Sequence, residues 1–358
     1  MYPLYALLFA DTGLSDAEIS ALFALWGSVG VVAEVPSGAL ADRFSRRWAV
    51  VSAGVLQAAG YGLWILLPSF AGFAAGFVLW GVGGSFASGA FQALVYDGLR
   101  AAGQEGRFAA VIARCEAVGL GVQVPVAGAA SVLFALGGYS LAGWVSVGTC
   151  LAAAGLATTL PDHRLGEEDD DDDEGSVGYI ATLRAGLREV ATTPRVRAAA
   201  LLVAALYGSE ALEEYFGLLV AGWGVSAGAV PVALLAIPLA GAAGALFGGP
   251  AARLGPLGLT VLLMTAAAAL GTAGLVARPA GLAGVAVFYG LWRIALVVAE
   301  VRLQAAITGR SRATISSVAG LGAELAGIAM FGAWAAGGLT LTVALAFAAA
   351  LLVPRKLG

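Results

Sequence analysis

Residues 38–47 read Gly-Ala-Leu-Ala-Asp-Arg-Phe-Ser-Arg-Arg, and they connect two long apolar segments. Four of these ten residues are charged, although Asp, Glu, Lys and Arg make up only 12% of the chain. Hydrophobic residues make up 60% of its 358 residues, whereas a soluble domain is about half apolar and a quarter charged. The chain therefore has too little polar surface for a water-soluble particle, and we predict an integral membrane protein.

Eleven apolar segments are long enough to cross a bilayer as helices, because a hydrocarbon core of about 30 Å requires about 20 helical residues. The alternation typical of membrane barrel strands is absent from the sequence. Residues 1–10 are too short to cross, and we expect them to be the second half of a helix that starts before Met1. The predicted spans are 17–40, 48–68, 70–95, 107–135, 138–160, 196–222, 227–250, 257–277, 280–304, 313–335 and 337–353.

Arginine is concentrated in alternate connections between these spans, and the intervening connections contain only Arg278. Cytoplasmic loops of membrane proteins have an excess of Lys and Arg, so the arginine-rich set is predicted to be cytoplasmic. We therefore expect a multi-pass protein of the cell membrane with its central linker and C-terminus in the cytoplasm. The arginine-rich set is 41–47, 98–107, 161–195, 251–256, 305–312 and the tail 354–358.

Residues 161–195 divide the chain into an N-terminal bundle, 1–160, and a C-terminal bundle, 196–358. The acidic run 167–174 within this linker has no apolar residue, so we expect a solvated, disordered tether. The two halves also resemble each other, because Gly-Ala-Leu-Ala-Asp-Arg-Phe at 38–44 matches Gly-Gly-Pro-Ala-Ala-Arg-Leu at 248–254. Internal repeats of this kind are typical of secondary transporters, whose substrate site lies near the midplane.

The stretch 38–47 resembles the signature between helices two and three of the major facilitator superfamily, Gly-x-x-x-Asp-Arg-x-Gly-Arg-Arg/Lys. The resemblance implies an all-α, polytopic fold of two pseudo-symmetric six-helix bundles, here with a truncated first helix, and transport by alternating access. In that family the signature holds the two halves together on the cytoplasmic side, with an acidic residue at the end of helix four. The alternative is that the arginines only set the topology. The matching residues are Gly38, Asp42, Arg43, Arg46 and Arg47, with Asp97 at the end of helix four.

The sequence departs from that family at several positions. Phe77 occupies the place of an arginine in helix four, and Ala252 replaces the acidic residue in the second copy of the signature. The exporter pattern of helix five is retained only at Pro125 and Gly128, which favours export.

Ionisable side chains inside predicted spans indicate a functional site, since each costs about 2.5–3.5 kcal/mol at midspan. Glu210 and Glu214 share one helix face with Glu213 beside them, and Arg293 and Glu300 share another. Helices seven and ten line the cavity in the resembling family, which places these residues on the transport pathway.

We predict that Arg293 pairs with Glu210, and that Glu213 or Glu214 carries a proton. Tyr207, Tyr215, Phe288 and Tyr289 adjoin the predicted cavity and are expected to contact an apolar ligand. For Glu34, Glu116 and Glu324, a structural bond between helices is an equal alternative.

The sequence thus predicts a secondary transporter that exports a small molecule in exchange for protons, as a monomer in membrane lipid. No cofactor, metal or nucleic acid is expected, and the absence of a Walker-type glycine loop argues against ATP as the energy source. An enzyme is not expected, because the single histidine, His163, lies in the linker without a catalytic partner. The alternatives are an uptake transporter and a scaffold or sensor that no longer transports.

Overall fold

The computed structural model describes residues 1–43, 45–162, 188, 190–307 and 312–353, with the backbone alone for 35–43, Gly89, Arg312 and Ala313. The regular elements in these ranges are helices, and eight of them are long and apolar enough to cross a membrane. The predicted all-α, polytopic architecture is confirmed. The acidic run 167–174 of the predicted linker and His163 lie outside the described residues.

The chain divides into two compact units, Met1–Asp170 with Ala227–Val232 and Asp171–Ser226 with Ala233–Gly358. The helices of the first unit are α1 (Tyr5–Asp11), α2 (Asp16–Arg43), α3 (Arg46–Leu66), α4 (Phe70–Ala101) and α5 (Phe108–Ala157). A 3₁₀ turn, Glu105–Arg107, precedes α5.

The second part of the chain contains α6 (Pro194–Gly208), a 3₁₀ segment (Ser209–Leu212), α7 (Glu213–Gly222), α8 (Val230–Leu234), α9 (Ala236–Ala251), α10 (Pro256–Val276), α11 (Gly281–Ala306) and α12 (Arg312–Ala349). A last 3₁₀ turn covers Ala350–Leu352.

Helix α5 is too long for one span, because its 50 residues would extend about 75 Å. Its backbone leaves helical geometry at Gly137 and Gly138, where Gly138 has φ 60° and ψ −153°. Helix α12 breaks in the same way at Gly338, with φ 54° and ψ −145°. A side chain would be strained in these conformations, so glycine permits each break. The breaks lie at the predicted junctions between 107–135 and 138–160 and between 313–335 and 337–353.

Aromatic side chains fill the core of the first unit. Phe77 is only 2% exposed, and its ring centroid lies 4.9 Å from that of Trp64 and 5.7 Å from that of Phe9. Trp64 donates from its indole nitrogen to the Phe73 carbonyl at 3.1 Å, so its one polar atom is satisfied within the core. The position at which the family resemblance leads us to expect arginine therefore belongs to a packed aromatic core.

Glycines bring helices of the second unit into close contact. A β-carbon at Gly244 of α9 would lie 2.1 Å from the Gly290 carbonyl oxygen of α11. A β-carbon at Gly208 of α6 would lie 2.4 Å from the side chain of Ala326 in α12. Small residues permit such close packing of helices in membranes.

The predicted span 196–222 is helical over its whole length, but it is not one continuous α-helix. Four residues, Ser209–Leu212, form a 3₁₀ segment between α6 and α7. The Ser209 hydroxyl donates to the Ala205 carbonyl at 2.8 Å, a contact that competes with the helix backbone and bends it. Gly208, a poor helix former, lies directly before the break.

Candidate functional site

Three polar contacts connect the segment around the 3₁₀ break with α11, and we call this set of six residues the polar ladder. The Tyr207 hydroxyl donates to Glu300 Oε1 at 2.6 Å. Arg293 Nη1 forms an ion pair with Glu210 Oε1, and the Tyr289 hydroxyl donates to Glu213 Oε1. The members of the polar ladder are Tyr207, Glu210, Glu213, Tyr289, Arg293 and Glu300.

The 3₁₀ geometry explains why three successive contacts face the same helix. Tyr207, Glu210 and Glu213 are spaced by three residues, and side chains at i and i+3 eclipse each other in a 3₁₀ helix. In a continuous α-helix the same residues would rotate gradually away from one face, since three residues fall short of a full turn. The break therefore aligns the polar groups that the chain presents to α11.

The orientation of α11 is set by buried aromatic residues next to the polar ladder. Trp292 is 1% exposed, and its indole nitrogen donates to the Leu206 carbonyl at 3.0 Å. Phe288 packs against it with ring centroids 5.2 Å apart. Because these residues hold the buried face of α11 against α6, Tyr289 and Arg293 are directed towards the carboxylates of the polar ladder.

The polar ladder is rich in negative charge. Three of its members are glutamates and one is an arginine, so the fully ionised set has a net charge of 1 − 3 = −2. The Arg293 and Glu210 side chains keep 32% and 28% of their surface exposed, so the pair is not sealed in the core. Arg293 donates to Glu210, while the donors to Glu213 and Glu300 are phenol hydroxyls.

Residues of the stretch 38–47 form a second polar group, at one end of the first unit. Arg46 forms an ion pair with Asp97 of α4, so the predicted partner at the end of helix four is present. Ser45 caps α3 by accepting from the Trp48 amide at 3.1 Å, and its hydroxyl also donates to Asp162. Arg47 Nη1 lies 3.4 Å from the Leu160 carbonyl oxygen. The structure describes only the backbone of Gly38, Asp42 and Arg43, so their predicted roles stay predictions.

The sequence profile of the Major Facilitator Superfamily matches residues 1–340. The chain belongs to this superfamily. No curated protein matches the sequence. Solved superfamily-type transporters share the fold at low sequence identity, and each covers most of the chain.

The nucleoside transporter NupG has a TM-score of 0.72 at 14% identity, with 98% of this chain and 93% of NupG covered. A bacterial homologue of the human lysosomal transporter Spinster, in an inward-facing and occupied conformation, has a TM-score of 0.62 at 15% identity over 98% of this chain and 92% of its own. A POT family transporter in complex with 5-aminolevulinic acid has a TM-score of 0.65 at 13% identity, and the match covers 98% of this chain and 91% of that transporter. The protein is thus a multi-pass membrane transporter of the superfamily fold.

In this superfamily member the structure brings together four of the eight predicted pathway residues, Glu210, Glu213, Arg293 and Glu300. The predicted pair of Arg293 with Glu210 is present. Glu214 is half-buried and follows Glu213 on α7. Of the other three, Glu34 accepts from the Ser88 hydroxyl at 3.3 and 3.4 Å, and Glu116 and Glu324 are exposed on α5 and α12.

The four aromatic residues expected to contact an apolar ligand have other contacts in the structure. Tyr215 and Phe288 are 0% and 1% exposed, and Tyr215 stacks on Trp334 with ring centroids 4.1 Å apart, so both are core residues rather than ligand contacts. Tyr207 and Tyr289 instead donate to carboxylates. Sequence reasoning missed these two donors, although Tyr289 lies four residues from Arg293 on the same helix, α11. That spacing places the two side chains on one face.

Proposed function

We propose that this superfamily member is a proton-coupled secondary transporter that exports a small amphipathic or cationic molecule across the cell membrane by alternating access. The observation that supports this most is the polar ladder, which aligns three glutamates and one arginine at a broken membrane helix. Broken helices and intramembrane charges are typical of substrate and ion sites in transporters.

The contacts favour Glu213, with its neighbour Glu214, as the proton carrier. Glu210 forms an ion pair with Arg293, whose guanidinium keeps its charge. Glu213 accepts from a neutral phenol, which can remain in place when the carboxyl group gains or loses a proton. A proton on Glu213 therefore changes the charge of the polar ladder without breaking its ion pair.

The proposed substrate class follows from the charge of the polar ladder. With three carboxylates and one guanidinium, the site favours a proton or an organic cation over an anion. The retained Pro125 and Gly128 of the exporter pattern support an outward direction. The arginine-rich connections support a cytoplasmic location for the connection that contains Arg46 and for the C-terminus.

Flux in proteoliposomes with an imposed pH gradient tests this function. We expect a proton gradient to drive uptake of a fluorescent organic cation, such as ethidium, into vesicles that contain inverted transporter. Glu213→Gln or Glu214→Gln should remove the gradient-driven component while the protein still inserts, and Glu105→Gln in the turn before α5 serves as the control. Gradient-driven flux that survives both substitutions would dismiss the proton-carrier assignment.

A scaffold or sensor without transport is the second candidate, and the aromatic core around Phe77 favours it. That position lacks the arginine expected from the family resemblance, and Phe77 packs there against the rings of Trp64 and Phe9. Absence of flux for a panel of organic cations and nucleosides, in protein that remains folded, would favour this candidate over a transporter.

A further inference from the structure

Two polar-ladder residues of α11, Tyr289 and Arg293, pack against one glycine of the neighbouring helix α9. A β-carbon at Gly241 would lie 2.5 Å from Cε1 and 2.8 Å from Cδ1 of Tyr289, and 3.3 Å from Cγ of Arg293. Gly241 therefore contacts two side chains whose polar ends reach Glu213 and Glu210.

Other glycines of α9 have different surroundings. A β-carbon at Gly244 would meet the Gly290 backbone at 2.1 Å, and one at Gly248 would meet Val297 Cγ1 at 2.5 Å, so both govern the approach of the two helices. A β-carbon at Gly249 would have no described atom within 4 Å. Gly241 is thus the position on α9 at which an added methyl group would press on the polar ladder itself.

We propose that Gly241 is a positioning residue for proton coupling, an inference that rests on the function proposed above. Its missing side chain leaves the space in which the Tyr289 ring and the Arg293 stem lie when they reach their carboxylates. The residue contacts neither substrate nor proton, and it acts only through these two side chains.

Geometry sets the size of the effect. Carbon atoms prefer to be about 3.5–4.0 Å apart, so a methyl group at Gly241 would require the Tyr289 ring to move by about 1 Å. The ring pivots at its β-carbon, so the hydroxyl at its far end would move further than the ring atoms beside Gly241. A hydrogen bond weakens steeply with loss of distance and alignment, so Tyr289 would no longer hold Glu213.

Gly241→Ala is the test, with Gly249→Ala as the matched control on the same helix. We expect Gly241→Ala to lower proton-driven flux of ethidium about tenfold. It should also move the pH of half-maximal flux in the same direction as Tyr289→Phe. Gly249→Ala should keep the wild-type rate and pH profile. A wild-type rate and pH profile for Gly241→Ala would overturn the proposal.

A thermal-unfolding cycle tests the same contact without any transport measurement. Gly241→Ala should lower the midpoint temperature in wild-type protein but have little effect together with Tyr289→Val, which removes the ring. With Tyr289→Leu as a second background, the same loss of effect is expected. An equal effect of Gly241→Ala in all three backgrounds would show that it acts elsewhere and would overturn the proposal.

The two measurements also separate this inference from the proposed function. If Glu213→Gln and Tyr289→Phe leave proton-driven flux unchanged, the proposed coupling site is wrong, and Gly241 then has no role in coupling. The unfolding cycle would still report whether Gly241 positions Tyr289. If those two variants lose flux and Gly241→Ala does not, only the inference on Gly241 fails.

Discussion

Arg302 of α11 donates through Nη2 to the main-chain carbonyl of Leu254, in the turn between α9 and α10. This turn belongs to the second copy of the repeated signature, in which Ala252 stands where the first copy has Asp42. In the first unit the corresponding connection is held by Arg46 through the carboxylate of Asp97. The two units therefore hold equivalent connections differently, the first through an arginine at the start of the following helix and the second through an arginine of α11 that reaches the turn.

We predict that Arg302→Met destabilises the turn between α9 and α10. A hydrogen bond from a charged donor contributes about 1.5–3 kcal/mol, and the partial exposure of Arg302 reduces this to about 1 kcal/mol. Thermal unfolding in detergent and limited proteolysis at the turn measure the effect. Arg253→Met removes an exposed arginine of the same turn and should leave both unchanged. Equal stability of the two variants would contradict the assignment.

The ion pair between Arg46 and Asp97 should appear as coupling in a double-mutant cycle. Their side chains are 31% and 16% exposed, so the interaction is partly screened and we expect a coupling free energy of about 1 kcal/mol. Unfolding midpoints of Arg46→Ala, Asp97→Ala and the double variant provide the cycle. Arg47→Ala with Asp97→Ala is the control, since Arg47 lies against the Leu160 carbonyl instead, and these two effects should add.

Removal of one member of the pair between Arg293 and Glu210 should cost more than removal of both. Arg293→Met leaves an uncompensated carboxylate in a membrane helix, and we expect a loss of about 1–3 kcal/mol, below the cost for a fully buried pair. Arg293→Met with Glu210→Gln should recover most of the stability. Expression level and unfolding midpoint report this, and a double variant less stable than Arg293→Met would argue against the pair.

Tyr207→Phe should change transport more than stability, because it removes only the hydroxyl that donates to Glu300. A hydrogen bond to a charged acceptor contributes about 1.5–3 kcal/mol, and solvent access to the exposed Glu300 replaces part of it. We expect a severalfold lower flux with an unfolding midpoint close to that of the wild type. Tyr96→Phe, in which an exposed tyrosine of α4 keeps its ring, is the control. Equal flux in the two variants would remove Tyr207 from the proposed pathway.

The sequence predicted much of the fold because the lengths of the apolar segments and the positions of the charged residues determine which segments can cross a bilayer. The spans follow from apolar runs that match the bilayer, and the breaks at Gly138 and Gly338 coincide with predicted junctions. The pair of Arg293 with Glu210 was also predictable, because few opposite charges are available inside the predicted spans and burial of an unpaired charge is costly.

The remaining features depend on contacts between residues far apart in the sequence. The 3₁₀ segment follows Gly208, whose close approach to Ala326 no local pattern indicates. The hydrogen bonds of Tyr207 and Tyr289 depend on the rotation of α11, which is set by the burial of Trp292. A tyrosine is compatible with an apolar core and with a polar contact, so its identity alone does not decide between the two.

The four residues of the 3₁₀ segment, Ser209–Leu212, lie just before the adjacent carboxylates Glu213 and Glu214. A 3₁₀ helix advances about 120° and 2.0 Å per residue, and an α-helix about 100° and 1.5 Å. If these four residues rewound as α-helix, α7 would turn back by about 80° and draw in by about 2 Å. We predict that cysteine at 213 and at 214 would then exchange their reactivity towards a thiol reagent when substrate binds. Neighbouring residues of an α-helix differ by about 100° around its axis. A rotation of about 80° would therefore bring Glu214 close to the position opposite Tyr289 that Glu213 occupies now.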